Sequence, residues 1–147
     1  MPADPAPVAL DLSDFDAVGI AADVVDAVRR HAIRSEGDVA ATVSAPEGWH
    51  RVVVTGRRSG HVVLSVRYSE LSRSRWHNLA AALAKRGWDL DEDSEGATNR
   101  IPPGTEASAV AFELLSAATL SGAPTDVRQV TAADAAGTPV PLVDPPS

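Results

Sequence analysis

The chain has 147 residues, of which 44% are apolar, 4% aromatic and none cysteine, and its formal net charge is −7. That length holds one domain with tails, and the apolar content excludes a disordered chain. The lack of cysteine excludes disulfides, thiolate metal sites and cysteine nucleophiles.

Residues 1–11 are rich in Pro, Ala and Asp and read as a mobile arm. Residues 1–28 hold no Lys or Arg and no long apolar run, so we expect no secretory signal, no transmembrane helix and a cytoplasmic protein. A first helix is expected to start near Ser13, with Ser13 and Asp16 resembling a capping box. Phe15, Val18, Val25, Val28 and Ala32 recur at helical spacing as its apolar stripe. Ser35-Glu36-Gly37-Asp38 ends it.

Strands are expected at Val39–Ser44, Arg51–Arg57 and His61–Tyr68, the last two joined by the hairpin signal Arg58-Ser59-Gly60. Period-2 alternation gives these strands an apolar side, with Val52, Val54, Val62, Leu64, Val66 and Tyr68. Arg51, Thr55, Arg57, His61, Ser65 and Arg67 alternate onto a basic, partly polar side. A second helix starts near Ser72 or Ser74, buries Trp76, Leu79, Ala80 and Leu83, and stops at Gly87 as a left-handed cap. A fourth strand runs from Trp88, with Trp88 and Leu90 inward and Asp89, Asp91, Asp93 and Glu95 outward. Ile101-Pro102-Pro103-Gly104 is a loop, and Thr105 caps a third helix whose stripe is Ala107, Val110, Ala111, Leu114 and Ala118. A last strand spans Asp126–Thr131, and residues 132–147 read as a disordered tail. The order α-β-β-β-α-β-α-β predicts an α+β domain over residues 12–131, an antiparallel sheet with helices on one side. With so few aromatics, alanine and valine must build most of the core.

Charge is segregated along the chain. Residues 1–28 carry six acids and no bases, residues 29–86 eleven bases and four acids, and residues 87–147 ten acids and two bases. An acidic protein of this kind still has the means to present a basic face.

No catalytic constellation is legible, and we expect no enzyme and no cofactor. Asp89-x-Asp91-x-Asp93 matches the start of a calcium loop, but Ser94 stands at the sixth position and Arg100 at the twelfth. His31, His50, His61 and His77 include no pair spaced for a helical metal site, so no metal is expected. There is no GxSxG, no GxGxxG and no P-loop ending. Arg51, Arg57, Arg58, Arg67, Arg73 and Arg75 have the charge for phosphate contacts, but no aromatic residues interleave with them as stacking platforms. Their expected partners are the acidic strand and the acidic segment at residues 4–16.

Leu79 and Leu83, Gly87-Trp88, Asn99-Arg100 before the proline loop, and Ala107–Leu120 leading to Pro124 resemble the type III secretion chaperone-like superfamily. More narrowly they are similar to its YbjN-type and TY-Chap branches, over roughly residues 50–130. Arg100 stands directly after Asn99 where the family has an aromatic residue. The resemblance implies a non-enzymatic, often homodimeric protein that holds another polypeptide on its sheet or helix surface. On that basis Trp76, Trp88, Arg51, Arg57 and Arg67 are the candidate partner-binding residues. The alternative is a regulatory nucleic-acid binder using the Arg51–Arg75 basic face. No membrane partner is expected.

Overall fold

A computed structural model of the protein describes residues 8–11, 15–44, 50–68, 73–90, 96–120 and 127–142. At residues 44, 50, 51, 67, 68, 73–76, 119 and 120 the description covers the backbone alone.

The described elements are β1 (Val8–Asp11), α1 (Ala17–Ser35), β2 (Val39–Ser44), β3 (His50–Gly56), β4 (Val62–Tyr68), α2 (Arg73–Lys85), β5 (Asp89–Leu90), β6 (Gly96–Ile101), α3 (Ala107–Leu120), β7 (Val127–Asp134) and β8 (Pro139–Val140). The strands form one antiparallel sheet in the order β1-β7-β2-β3-β4-β6-β5, with β8 also on β7. The fold is α+β.

Period-2 alternation builds the inner side of the sheet. Val8, Val130, Val43, Val52, Val66 and Ala97 stand in register as one row across six strands. Ala132, Ala41, Val54 and Leu64 form the next row. These positions pack with Val24, Val25 and Val28 of α1, Leu79 and Leu83 of α2, and Val110 and Leu114 of α3 in one core. Valine and alanine make up most of that core.

The ends of α1 and α2 have local causes. In α1, Ala17, Ala21, Val24, Val25, Val28 and Ala32 are buried, a single stripe at helical spacing. Glu36 takes the left-handed conformation (φ 54°), and the Glu36 and Gly37 N–H groups donate to the Ile33 and Ala32 carbonyls. Gly87 does the same for α2 (φ 90°), with the Gly87 and Trp88 N–H groups donating to Ala84 and Leu83. Both ends are Schellman motifs.

Several expectations are corrected. The first helix begins at Ala17, so Phe15 lies in a turn and is fully exposed, and Val18 is exposed too; Ser13 lies outside the described residues. Residues 8–11 of the expected mobile arm are the strand β1, whose Leu10 is fully buried. Residues 132–142 of the expected disordered tail are the end of β7, a tight turn and β8, with Leu142 buried; residues 143–147 lie outside the described residues. Asp134 organises that turn: its Oδ1 accepts from the Ala136 and Thr138 N–H groups, and Gly137 takes φ 84°. Gly96–Ile101 is a further strand, β6, and its last residue Ile101 was expected in the loop; Asp91, Asp93 and Glu95 of the expected fourth strand lie outside the described residues. Leu90 is 47% exposed, because β5 is a two-residue strand at the margin of the sheet. Thr105 does not cap α3. Its hydroxyl donates to the Pro102 carbonyl, and Glu106 supplies the carbonyl that accepts from Ala109 and Val110.

No helix among the described residues is long and apolar enough to cross a membrane.

Candidate binding surface

The side of the sheet opposite the helices stays open among the described residues. Its central row, in register, is Thr131, Thr42, Val53, Ser65, Thr98 and Asp89. A neighbouring row is Ala133, Ala40, Thr55, Val63 and Arg100. Thr42, Val53, Thr55, Val63, Ser65 and Thr98 are only half-buried, and Thr131, Arg100 and Asp89 are exposed. The side chains are short and mostly β-branched or hydroxyl-bearing, so none protrudes far from the centre of the surface. At its β2–β7 side, a cleft of about 400 Å³ opens between Thr42, Thr131, Pro139 and Leu142.

A third row holds Gln129, Ser44, Arg51 and Arg67. Arg51 and Arg67 are direct Cα partners across β3 and β4, and their side chains lie outside the described residues. Arg57 ends the same strand line as Arg51, Val53 and Thr55. Its Nη1 donates to Asp38 Oδ2 at 3.3 Å, with both side chains about half exposed. Its carboxylate partner is therefore Asp38, next to β2, in neither of the two acidic stretches expected from the sequence. Beside it, the β3–β4 turn closes through the Arg57 and His61 backbones with Gly60 at φ 92°. The Ser59 hydroxyl and His61 Nδ1 meet there at 2.9 Å.

Trp88 is elsewhere. It is 4% exposed and part of the core, and its indole N–H donates to Glu113 Oε2 at 3.2 Å. Glu113 also accepts both Arg86 Nε and Nη2, at 3.2 and 2.9 Å, a two-pronged pair. Arg86 reaches in turn over the exposed Phe112 ring, at 6.0 Å from its centroid. This knot ties the end of α2 to α3. The side chain of Trp76 lies outside the described residues. The structure thus places positions 51 and 67 on adjacent strands of one sheet surface, with Arg57 just past the end of β3, and separates Trp88 from them.

Three structural side chains escaped the sequence reading. Arg29 of α1 donates from Nη1 to the Thr105 carbonyl at 2.6 Å, tying α1 to the start of α3. Arg128, 1% exposed, sits at an inward position of β7, and its Nη2 makes a long contact of 3.5 Å to the Ala118 carbonyl. A cation at the carbonyl end of α3 complements the helix dipole. The third is Glu113. Arg128 was readable from alternation: with Val130 and Ala132 inward, position 128 must be inward too.

Among the described residues, no group of three or more His, Asp or Glu side chains converges as a metal site would require. In comparisons with known proteins, no family model, curated protein or solved structure matched this chain.

Proposed function

We propose that this protein is a non-enzymatic, chaperone-like binding module that holds an extended segment of another polypeptide against the open side of its sheet. One observation carries the reading. Five long antiparallel strands are covered by helices on one side, while Thr42, Val53, Thr55, Val63 and Ser65 remain solvent-accessible on the other. A flat patch of short β-branched and hydroxyl side chains offers contact area and hydrogen bonds without protruding groups. At a strand spacing of about 4.8 Å the axes of the five strands span ~19 Å, which an extended segment of roughly six residues crosses. The resemblance to chaperone-like proteins points the same way. Dimers are common in that family, so a second copy is the competing occupant of the surface.

The nucleic-acid alternative is less well supported. The open rows contain no aromatic side chain on which a base would stack. Arg57 is already engaged by Asp38.

The test is holding activity. At equimolar ratio the protein should suppress light scattering by a chemically unfolded test polypeptide as its denaturant is diluted. Val53→Asp combined with Val63→Asp should abolish the effect while the circular dichroism spectrum is retained. Undiminished scattering with the wild-type protein would show the reading to be wrong.

A further inference from the structure

We propose that the cleft on the β2–β7–β8 side of the open surface takes one bulky apolar side chain of the held segment, with a basic residue two positions away meeting Asp134. The inference rests on the polypeptide-binding reading above and deepens it.

Side-chain size along one row makes the cleft. Val63, Thr55, Ala40, Ala133 and Pro139 stand in register across the strands. Two alanines side by side thus lie between a β-branched residue and a proline ring, and the surface drops where their side chains stop at Cβ. Thr42 and Thr131 of the next row line the cleft, and Pro139 of β8 and Leu142 wall it toward the sheet margin. Its volume of about 400 Å³ holds a whole leucine or phenylalanine side chain. The lining is mostly apolar, so an apolar side chain entering it leaves water in proportion to the area it covers. The cleft is also continuous with the rest of the open surface. Thr55 is the Cα partner of Ala40, and Val53 that of Thr42, so a segment laid across Val63 and Thr55 runs straight into it.

Charge selects the neighbour. Asp134 lines the cleft. Its Oδ1 accepts from the Ala136 and Thr138 N–H groups, and no described cation pairs with it. β2, β8 and residues 129–147 contain no Lys or Arg, Arg128 is buried beside Ala118, and Arg57 is held by Asp38. A carboxylate at an apolar cleft with no base beside it favours a cation in the occupant. Alternate residues of an extended segment face the same way, so that cation stands two positions from the apolar anchor.

The experiment uses the full chain and fluorescein-labelled threonine-rich peptides of about nine residues, long enough to cross the strands. The central residue is leucine or alanine, and the residues two positions to either side are both lysine or both glutamate. Fluorescence anisotropy should show the leucine peptides binding about tenfold more tightly than the alanine peptides. Lysine should be preferred to glutamate by about threefold, a preference that shrinks as salt rises. Ala133→Leu fills the cleft from an outward position and should erase the leucine preference. Asp134→Asn keeps an acceptor for the two turn N–H groups and should erase the lysine preference alone. Equal binding of leucine and alanine peptides would overturn the inference and leave the polypeptide-binding reading standing. Binding of none would overturn both. A leucine preference that survives Ala133→Leu would place the apolar side chain elsewhere and overturn it too. So would a dimer in sedimentation that excludes every peptide and is dissociated by Ala133→Leu, since the cleft would then belong to a second copy.

Discussion

Gly56 of β3 lies directly against Val28 of α1. A Cβ at position 56 would stand 2.7 Å from Val28 Cγ1 and 2.9 Å from the Val28 carbonyl oxygen. The longest helix is thereby seated on the central strand at the one point where that strand has no side chain. The seat fixes the inner side of β3 and so determines which β3 residues, Val53 and Thr55, are left facing outward.

Gly56→Ala should therefore destabilise the fold by about 1–3 kcal/mol, the usual cost of overpacking. Urea unfolding would record it as a lower midpoint with an unchanged slope. Val28→Ala in the same chain should restore only part of the loss, because the close carbonyl belongs to the backbone and remains.

The two Schellman ends make opposite predictions. Glu36 occupies a left-handed position that costs a residue with a Cβ about 1 kcal/mol or more, so Glu36→Gly should stabilise the protein by about 0.5–1 kcal/mol. Gly87 occupies the same position of α2, so Gly87→Ala should destabilise it by about 1 kcal/mol. Thermal unfolding of the two variants should move in opposite directions.

Glu113 serves two donors, the Trp88 indole and the Arg86 guanidinium. Glu113→Ala should cost about 1–3 kcal/mol, because the buried indole N–H loses its acceptor. Glu113→Gln keeps one acceptor oxygen, enough for Trp88, and loses the charge and the second acceptor that Arg86 uses, so it should cost less than the alanine. Tryptophan fluorescence and urea midpoints of the two variants together separate the roles.

The Arg57–Asp38 pair is exposed on both sides, and pairs of that kind contribute about 0–1 kcal/mol. Arg57→Gln and Asp38→Asn should each leave the urea midpoint nearly unchanged, so that any larger effect of Arg57→Gln on peptide binding reports on the surface itself.

The elements with strong periodicity were legible in the sequence. Val52-x-Val54 and Val62-x-Leu64-x-Val66 alternate cleanly and bury as that alternation requires. The Arg58-Ser59-Gly60 turn and the Gly87 stop are local chemistry and need no tertiary information. What was missed is non-local. Val8–Asp11 and Pro139–Val140 are too short to show a period, and they become strands because both find β7 as a template. Gly96–Ile101 carries Gly, Asn and Arg, poor strand formers, yet it is held between β4 and β5. Asp134 followed by Gly137 was a readable turn signal inside a stretch whose Ala and Pro content suggested disorder. Trp88 was legible as inward and is buried; its indole partner Glu113, 25 residues away, is a pairing that spacing does not reveal. The open rows were legible as a polar side of the sheet. That no described helix covers them follows only from the packing of all three helices on the other side.

The most direct measurement is a backbone amide NMR titration of the full chain with a soluble, unfolded polypeptide. The account predicts saturable shift changes concentrated at Thr42, Val53, Thr55, Val63, Ser65 and Thr98, with α1 and α3 undisturbed. No change at those residues, or changes confined to the helices, would contradict it.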